Sequence, residues 1–447
     1  MSTIPLIPTI ATDDNYDSGA YPWSGQPTKV ALTSGYKAKG WIPGTNVAAE
    51  HENYFKHGLS VGLSDAQLRA AVKSNMGGFV GRNCGAHFAW LPRSKALVGT
   101  ETISSAYKLV SRSSDLAFKR DTTSDTNGLE ICQAVYNPPS GTGYLVYFPW
   151  GIAGGAANAK RVQDFQGLGV ASITPPNSNA RYHDGCMDEA TGNAVMLSGG
   201  GGTGGTAYGW AYGDPSGSMS FATFSGWTAD ELSTVASKPA TDGYAAEVRA
   251  FSLAKSAYST NGGGTIASVD DNTWNGATDP NTLTNPFMSR PTWDGANLRW
   301  VCATSSMYDY STEVSKLWVS TDGYSWEYLA AANLEVGGWL ITTVHYHAGW
   351  LWAIAFPNGA LERHPGLHIL VSKDGGATWI ETEVSLSMSP IYELVPEGQT
   401  PNTYVSRDLL RHNRITSCGS FLLFQTTLEA TVWTGAETTA YRVIHTG

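Results

Sequence analysis

The chain has 447 residues, of which 15% are charged, and its formal net charge is −10 at pH 7. A chain of this length holds either two or three average domains or one large all-β domain. The 50 glycines and 16 tryptophans favour the second organisation, because they indicate many tight turns and an aromatic-rich β architecture. Since no run of basic residues occurs, the sequence argues against a nucleic-acid partner.

The first 76 residues are irregular and end in the most convincing helical pattern of the chain. Ser64 and Gln67 form a capping box at the start of this helix. Leu68 and Val72 lie on its apolar face before two glycines end it. A second short helix is predicted over 48–57.

Neither a leader peptide nor a membrane anchor is predicted. The first basic residue is Lys29, and no sustained apolar core precedes it. No stretch approaches the roughly 18 apolar residues that are needed to span a bilayer. We therefore expect a soluble protein that is not exported by a cleaved leader and does not insert into a membrane.

A short segment, 39–55, reads KGWIPGTNVAAEHENYF. It resembles a segment near the N-termini of tailed-bacteriophage fibre and tail-appendage proteins, with a Gly-aromatic pair, Pro-Gly-Thr and an Ala-Glu-x-x-Asn-aromatic helix. The resemblance implies a virion protein that assembles in the host cytoplasm, with 1–76 as a docking segment for other virion proteins. Trp41, Tyr54 and Phe55 are the predicted anchors of that interface. The alternative is an ordinary turn and helix that pack on the rest of the chain.

Five cysteines are scattered without CxxC spacing: Cys84, Cys132, Cys186, Cys302 and Cys418. Their odd number argues against a complete disulfide framework. Their separations of 48, 54, 116 and 116 residues approximate one, one, two and two lengths of a propeller blade. We interpret them as free thiols buried in equivalent inner strands rather than as a metal or redox site.

Two glycine-rich stretches, 198–205 and 261–264, are not followed by the GK[ST] of a phosphate-binding loop or by a helix pattern. We interpret both as flexible hairpin tips. The densest group of reactive polar residues comprises His183, Asp184, Cys186, Asp188 and Glu189. An Asp- and Gly-rich turn has the same composition, and we favour it over a glycosidase carboxylate pair, whose separation of about 5 to 10 Å the sequence cannot test.

Two late turn sequences repeat at a separation of 52 residues. The first is STDGYSW at 320–326 and the second is SKDGGATW at 372–379. Each follows an apolar strand-like run, and in each the Asp can accept backbone amide bonds, the Gly permits positive φ and the Trp covers the turn. The predicted turn residues are Ser320, Asp322, Gly323, Trp326, Ser372, Asp374, Gly376, Thr378 and Trp379.

The second turn resembles the Asp box, or bacterial neuraminidase repeat, whose pattern is Ser-x-Asp-x-Gly-x-Thr-Trp. The first turn is one residue shorter than this pattern. The resemblance implies a β-propeller in which such turns join the two outer strands of a blade, far from the central pocket, and are not catalytic. We therefore predict that 77–447 is an all-β propeller of about seven blades, although no such turn is readable in the middle units. The approximate units are 77–125, 126–176, 177–232, 233–286, 287–335, 336–395 and 396–447.

Sialidases are the best known enzymes with Asp boxes. Their chemistry needs an arginine triad, a Tyr activated by Glu, an Asp acid and a Phe/Tyr-Arg-Ile-Pro element. No Arg-Ile-Pro occurs here, and the only Arg-Ile pair, Arg414-Ile415, lies in the final unit. Candidate triad members are Arg249, Arg363 and Arg411. Because no triad can be assigned, we predict no catalytic residue and favour a protein that is not an enzyme.

His345 and His347 flank Tyr346, so both side chains point to the same face of a predicted strand. His364 and His368 follow nearby, but a zinc site needs further ligands in tetrahedral geometry. We favour solvent-side histidines on a strand and predict neither a metal nor a cofactor. No Gly-x-Ser-x-Gly elbow marks a serine nucleophile.

The 16 tryptophans and 21 tyrosines exceed the number that blade cores need. Aromatic faces stack on sugar rings while Asn, Asp and Gln bond the sugar hydroxyls. We therefore predict the following ligand-binding aromatic residues in loops: Trp150, Tyr182, Trp210, Tyr212, Trp274, Tyr308 and Tyr310.

Together these observations favour a bacteriophage virion protein, a tail-fibre or tail-tip adhesin that binds host-surface carbohydrate through its propeller. One alternative is a sialidase-like or other glycan hydrolase, and another is a capsid or tail decoration protein without a ligand. An enzyme needs carboxylates that converge at the propeller axis, an adhesin needs exposed aromatic residues on one rim, and a decoration protein needs neither. The sequence leaves homo-oligomerisation open.

Overall fold

The computed structural model describes the chain in segments. The described residues are 9–10, 30–31, 79–80, 89–94, 96–102, 106–112, 119–121, 131–136, 138, 143–149, 160–164, 170–174, 176, 182–199, 208–227, 233–240, 244–283, 286–306, 315–331, 339–357, 367–384, 402–404, 414–418, 421–425, 428–433 and 438–444. Both predicted N-terminal helices lie outside these residues, as do the predicted docking residues Trp41, Tyr54 and Phe55. Among the described residues, no helix is long and apolar enough to cross a membrane.

The described part is built from β-strands, with one 3-10 helix over Pro280–Thr282 as its only helix. The strands are β1 (Thr9–Ile10), β2 (Val30–Ala31), β3 (Phe79–Val80), β4 (Ala89–Leu91), β5 (Ala96–Thr102), β6 (Ala106–Arg112), β7 (Lys119–Asp121), β8 (Ile131–Tyr136), β9 (Tyr144–Pro149), β10 (Lys160–Gln163), β11 (Val170–Ser172), β12 (Tyr182–Met187), β13 (Ala194–Gly199), β14 (Tyr208–Gly213), β15 (Ser220–Thr223), β16 (Thr234–Lys238), β17 (Glu247–Phe251), β18 (Lys255–Ser259), β19 (Ser268–Asp271), β20 (Thr273–Asn275), β21 (Pro286–Met288), β22 (Thr292–Asp294), β23 (Arg299–Ser306), β24 (Lys316–Ser320), β25 (Ser325–Leu329), β26 (Trp339–His347), β27 (Trp350–Pro357), β28 (Leu367–Ser372), β29 (Ile380–Val384), β30 (Asn402–Tyr404), β31 (Arg414–Cys418), β32 (Phe421–Gln425), β33 (Leu428–Trp433) and β34 (Thr438–Ile444).

Most strands belong to antiparallel sheets of four strands that follow one another in the chain. We name five of these sheets blades I, II, III, IV and VI, which contain β4–β7, β8–β11, β12–β15, β16–β19 and β26–β29. Blade V contains β21–β25, where β21 and β22 both pair with β23. Strands β31 and β32 form a C-terminal hairpin, and β30, β33 and β34 form a further sheet with β3.

The innermost strands contact one another in a closed circle. In order around it, the contacting pairs are β4 with β8, β8 with β12, β12 with β16, β16 with β22, β22 with β26, β26 with β31 and β31 with β4. Antiparallel sheets set radially about an axis define a β-propeller, as the sequence predicts. The number of blades stays a prediction, because β31–β32 and β33–β34 pair in separate sheets rather than in one four-stranded blade.

The hydrophobic cores lie between neighbouring blades. Val195 and Leu197 of blade III pack with Val235 of blade IV in one buried cluster. Phe251 of blade IV meets the fully buried Trp300 of blade V edge-on, with ring centroids 5.0 Å apart. Burying each large apolar side chain contributes about 1.5 to 3 kcal/mol. These contacts hold the inner strands around the axis and so position the polar side chains that face it.

The predicted repeat units agree with the observed sheets, since blades I, II, III, IV and VI each fall within one predicted unit. Cys186 and Cys302 are buried free thiols, as predicted. Cys186, Cys132 and Cys418 lie on the inner strands β12, β8 and β31. The prediction of an inner strand is wrong for Cys302, which lies on β23, the second strand of blade V, where it joins the core between blades. Cys84 lies outside the described residues.

The second predicted turn joins the two outer strands of blade VI. Asp374 accepts bonds from the Thr378 amide at 2.9 Å and the Thr378 hydroxyl at 2.6 Å. The Ser372 hydroxyl donates to Asp374 at 2.8 Å and accepts from the Gly376 amide at 2.7 Å. The buried Trp379 indole donates to the Gly376 carbonyl at 2.9 Å. These bonds all join residues no more than four positions apart.

The first predicted turn joins the outer strands of blade V and makes equivalent bonds despite its shorter length. The Ser320 hydroxyl donates to Asp322 at 2.9 Å and accepts from the Gly323 amide at 2.8 Å. Asp322 also accepts from the Ser325 amide at 2.8 Å, and Trp326 is fully buried. Gly323 has a φ of 81°, which a side chain would oppose. Membership of the Asp-box family stays a prediction.

A third turn of this kind lies in blade IV. The Ser259 hydroxyl donates to Asn261 Oδ1 at 2.8 Å and accepts from the Gly263 amide at 3.1 Å. The Thr265 amide donates to Asn261 Oδ1 at 2.8 Å. The prediction of a flexible tip at 261–264 is therefore wrong, because Ser and Asn bond this turn as Ser and Asp bond the turn of blade VI.

Each of these outer turns contacts the preceding blade. The Arg299 guanidinium of blade V donates to the Gly375 carbonyl of blade VI at 2.8 Å. The Trp210 indole of blade III donates to the Gly263 carbonyl of blade IV at 2.8 Å. The side chain of Arg249 in blade IV lies against the turn of blade V. The outer turns therefore connect neighbouring blades at the rim of the propeller.

Candidate axial site

Asp184 is a buried carboxylate on β12, the inner strand of blade III. Its Oδ2 accepts the Val235 amide of blade IV at 2.9 Å, and its Oδ1 accepts the Gly185 amide at 2.7 Å. The register of β12 on β13 shifts between Tyr182 and Asp184, and such irregularities change the direction of a side chain. The prediction of a turn is therefore wrong for Asp184, because this residue lies within strand β12 and accepts a hydrogen bond from Val235 of the next blade.

Two arginines from other parts of the ring meet this carboxylate. Arg290 precedes the inner strand of blade V, and its Nε lies 3.9 Å from Asp184 Oδ2. Its Nη2 donates to the Gly185 carbonyl at 3.2 Å. Arg414, the first residue of β31, forms an ion pair with Asp184 Oδ1. Because β12 and β31 are not neighbours in the circle of inner strands, this ion pair crosses the propeller axis.

The contacts of Asp184 determine its charge. Burial alone would raise the pKa of this carboxyl group, but the positive charges of Arg290 and Arg414 and the Val235 amide outweigh burial and lower it. Asp184 is therefore an anion at neutral pH. A general acid needs a raised pKa, so Asp184 is unsuited to the role of proton donor in glycoside hydrolysis.

Two histidines and a serine lie beside this ion pair. His345 and His347 point to the same face of β26, as predicted, and both bond to Ser417 of β31. His345 Nε2 lies 2.8 Å and His347 Nδ1 lies 2.9 Å from Ser417 Oγ. The two histidines are half-buried, and Ser417 is exposed. We define the axial site as Asp184, Arg290, His345, His347, Arg414 and Ser417.

His345 is held in its neutral form. It keeps some contact with solvent, but the surrounding protein desolvates it, and this burial, the nearby His347 and the positive charge of Arg290 all lower its pKa, to about 3. The Ser417 hydroxyl has one proton and lies within bonding distance of both imidazoles, so one imidazole accepts a bond from it and the other donates.

The axial site has more positive than negative charge. Among the described residues, two guanidinium groups face a single carboxylate. Their side chains remain 26% exposed in Arg290 and 11% exposed in Arg414. In the part of the chain that the structure describes, no group of three or more His, Cys, Asp or Glu side chains could hold a metal ion. Guanidinium groups match the planar geometry of carboxylates and phosphates. The axial site is therefore suited to binding an anion.

The aromatic residues predicted to stack on sugars do not form an exposed rim in the described structure. Three are buried in blade cores: Tyr182, Trp210 and Trp274. The prediction is wrong for these three, because large apolar side chains fill the space between radially set sheets. Tyr212 is half-buried and packs against Gly263. Three others lie outside the described residues: Trp150, Tyr308 and Tyr310.

Other predicted reactive residues have structural contacts. Asp188 accepts from the Thr191 amide at 2.9 Å and hydroxyl at 2.5 Å, so the turn predicted there is confirmed. Arg249 is buried in blade IV and donates to Glu247 at 2.9 Å. The prediction that Arg249 could belong to a ligand-binding arginine triad is therefore wrong. Two other candidates lie outside the described residues: Arg363 and Arg411.

Three axial residues could not be identified from local patterns. Arg290 and Ser417 belong to no motif, and Arg414 is conspicuous only as part of the Arg-Ile pair. The partner of Arg290 at Gly185 lies 105 residues away, and Arg414 is 230 residues from Asp184. The usable signal is positional, since Arg290 and Arg414 stand at or just before the start of an inner strand.

No protein-family model matches the chain, and no curated protein sequence matches it. Several solved structures align with most of it. The dihydro-haem d1 dehydrogenase NirN is 12% identical with a TM-score of 0.43, over 81% of this chain and 67% of that chain. Virginiamycin B lyase from Staphylococcus aureus is 10% identical with a TM-score of 0.35, over 69% and 83%. The GH74 enzyme of Niastella koreensis is 13% identical with a TM-score of 0.30, over 80% and 69%. Such distant likenesses say nothing about the function of this chain.

Proposed function

We propose that this protein binds carbohydrate and that its axial site takes an acidic glycan. The observation that supports this proposal is the charge at the axis, where Asp184 is the one carboxylate among the described residues that faces Arg290 and Arg414. With His345 neutral, these residues sum to one excess positive charge. The whole chain has a formal charge of −10, so this positive centre differs in sign from the net charge of the chain. A charged site with protein walls concentrates ligands of opposite charge.

The remaining axial residues suit the hydroxyl groups of a sugar. Ser417 is exposed, and the half-buried His345 and His347 each have a nitrogen bonded to it. A hydroxyl and two imidazoles can donate and accept hydrogen bonds. Together with the guanidinium groups, they offer partners for both the acidic group and the hydroxyl groups of one sugar unit.

The structure gives less support to a glycan hydrolase. The usual mechanism needs two carboxylates about 5 to 10 Å apart, one of them protonated. In the described part of the axial site, Asp184 is the only carboxylate, and its pKa is lowered. The alternative of a decoration protein without a ligand does not explain why the axial site is charged and partly open to solvent.

Calorimetric titration with acidic oligosaccharides tests the proposal. We expect an oligogalacturonide or a sialylated trisaccharide to bind, its neutral counterpart to bind at least tenfold more weakly, and the affinity for the acidic probe to fall with added salt. Arg290→Gln should weaken binding by about 10- to 150-fold, since a bond to a charged group contributes about 1.5 to 3 kcal/mol. Arg290→Lys should lose less.

The matched control is Lys255→Gln, which removes one positive charge from an outer strand of blade IV. It should leave the affinity within twofold of the wild type. If the neutral probe binds as well as the acidic one, or if Arg290→Gln and Lys255→Gln behave alike, the axial site is not the binding site.

We also propose that the protein is a bacteriophage tail adhesin, attached to other virion proteins through 1–76. The resemblance of 39–55 to fibre and tail-appendage proteins supports this part of the proposal. Deletion of 1–76 should leave a soluble β protein that unfolds cooperatively and no longer enters the particle, as imaging of intact particles can show. A truncated chain that still enters at normal copy number would place attachment on the propeller. One that fails to fold would mean that the segment contributes to the ring.

A further inference from the structure

We propose that Ser417 is the nucleophile of an acyl-transfer site that hydrolyses short-chain carboxylic esters. Its hydroxyl lies 2.8 Å from His345 Nε2 and 2.9 Å from His347 Nδ1. A serine within hydrogen-bond distance of a histidine is the arrangement that nucleophilic catalysis requires. Because Ser417 is exposed, an ester can reach it. This activity does not depend on glycan binding.

Strands β26 and β31 hold the three side chains together. His345 and His347 alternate with Tyr346, whose amide donates to Thr292 Oγ1 of blade V at 3.0 Å, which fixes the height of β26 at the axis. Strand β31 contacts β26 and presents Ser417 to both imidazoles. In either arrangement of protons, one of the two imidazoles offers a lone pair to the serine hydroxyl.

We assign His345, whose Nε2 lies 2.8 Å from Ser417 Oγ, as the base. It is neutral throughout the physiological pH range, so its ring can take up a proton. Arg290 lies close enough for its positive charge to act on His345. We assign to this charge the stabilisation of the anion that forms when an ester carbonyl is attacked. Because a base works best with a pKa near the working pH, the weak basicity of His345 predicts slow turnover.

The reaction needs only the ester and water. Ser417 Oγ attacks the carbonyl carbon, and its proton passes to the imidazole. The bond between the carbonyl carbon and the alkoxy oxygen then breaks, and the leaving alcohol takes the proton from the imidazolium. Water attacks the acyl-serine in the same way, which releases the carboxylic acid and restores the serine hydroxyl. No electrons are exchanged with an external agent.

The experiment uses the full chain with a fluorophosphonate probe, mass-spectrometric mapping of the adduct, and hydrolysis of p-nitrophenyl acetate. We expect an adduct on Ser417 and slow hydrolysis of the ester in the wild type. Ser417→Ala should lose both, and His345→Gln should lower the labelling rate by about 100-fold or more. Ser216→Ala, which changes an exposed serine on a turn of blade III, is the matched control and should retain both activities.

The pH dependence separates this base from an ordinary histidine. Labelling through His345 should be constant from pH 8 to pH 5, whereas a base with the usual histidine pKa of about 6.5 would lose roughly tenfold by pH 5.5. The proposal is overturned if the folded wild type gives no adduct on Ser417. It is equally overturned if ester hydrolysis persists undiminished in Ser417→Ala, with folding verified by circular dichroism. Mapping of the wild type decides the question even if a variant misfolds.

Discussion

The outer turn of blade VI and the axial site each centre on an aspartate, but they obtain its partners differently. Asp374 bonds Ser372 and Thr378, which lie no more than four residues away. Asp184 meets Arg414, which is 230 residues away. The first arrangement forms with its own hairpin, whereas the second exists only once the ring has closed. We therefore expect changes at the rim to alter stability without altering binding, and changes at the axis to alter binding and the response to pH.

The largest effect is expected at the rim, from Trp379→Ala. This buried indole packs in the cluster that includes Leu351 and Leu370, and its removal leaves a cavity that should lower the free energy of unfolding by about 3 to 5 kcal/mol. Guanidinium denaturation measures the loss, with Trp379→Phe as the milder control. The affinity for an acidic oligosaccharide should stay unchanged. A stability loss below about 1 kcal/mol would show that the indole is not part of the core.

A smaller effect is expected at the axis on acidification. The pKa of His345 is about 3 in the folded chain and about 6.5 in the unfolded chain, so between these values the unfolded chain binds more protons. The free energy of unfolding should therefore fall as the pH drops below 6.5, by at most about 1.4 kcal/mol per pH unit. The residual solvent contact of His345 reduces this slope. Denaturation at pH 7, 5.5 and 4.5 measures this pH dependence of the free energy of unfolding, and His345→Gln should reduce it. Identical slopes in the wild type and the variant would show that His345 is not desolvated in the folded chain.

A still smaller loss is expected from Asp374→Ala. This exposed carboxylate bonds Ser372 and Thr378, and removing these bonds should lower the free energy of unfolding by about 1 to 2 kcal/mol. Asp374→Asn should lose less, because Asn261 makes equivalent bonds in blade IV. Thermal unfolding of the two variants beside Trp379→Ala gives the ranking. A loss equal to that of Trp379→Ala would contradict the view that Asp374 contributes only hydrogen bonds to the turn whereas Trp379 contributes buried core packing.

No effect at all is expected in an assay for sialidase activity: the wild type should not hydrolyse a fluorogenic sialoside. The sequence lacks Arg-Ile-Pro, and Asp184 at the axis is ion-paired with Arg414. Release of the fluorophore should therefore equal the buffer background. Release above background that Arg290→Gln abolishes would instead restore the sialidase interpretation.

The turns of blades V and VI, whose hydrogen bonds stay within one hairpin, could be predicted from the sequence. The contacts of Asp184 at the propeller axis could not. The turn from Ser372 to Trp379 follows from residue types at fixed spacing, since its bonds stay within the hairpin. The turn at Ser259 escaped prediction because Asn261 stands in place of Asp. Asp184 resembled a turn residue because glycine and further acidic residues surround it, although long-range contacts determine its environment.

The aromatic residues show a related limit of prediction. The large number of Trp and Tyr residues predicts that Trp210 and Trp274 lie on loop surfaces, yet both are buried. Composition alone cannot say how much apolar surface radially set sheets must cover between them. Trp274 of β20 stacks on Trp326 of blade V, with ring centroids 5.5 Å apart, and meets Trp318 edge-on at 4.9 Å.

Strand β20 runs parallel to β25, along the outer edge of blade V. The Thr273 amide donates to the Tyr324 carbonyl at 2.9 Å, and Trp274 stacks on Trp326 with an interplanar angle of 13°. An uncovered outer strand offers a row of backbone groups to which another chain can add a strand. Here the segment between blades IV and V occupies that row itself. When many copies are synthesised close together, blade V is thereby protected from joining edge to edge with its neighbours, and self-association through this edge would first require β20 to detach.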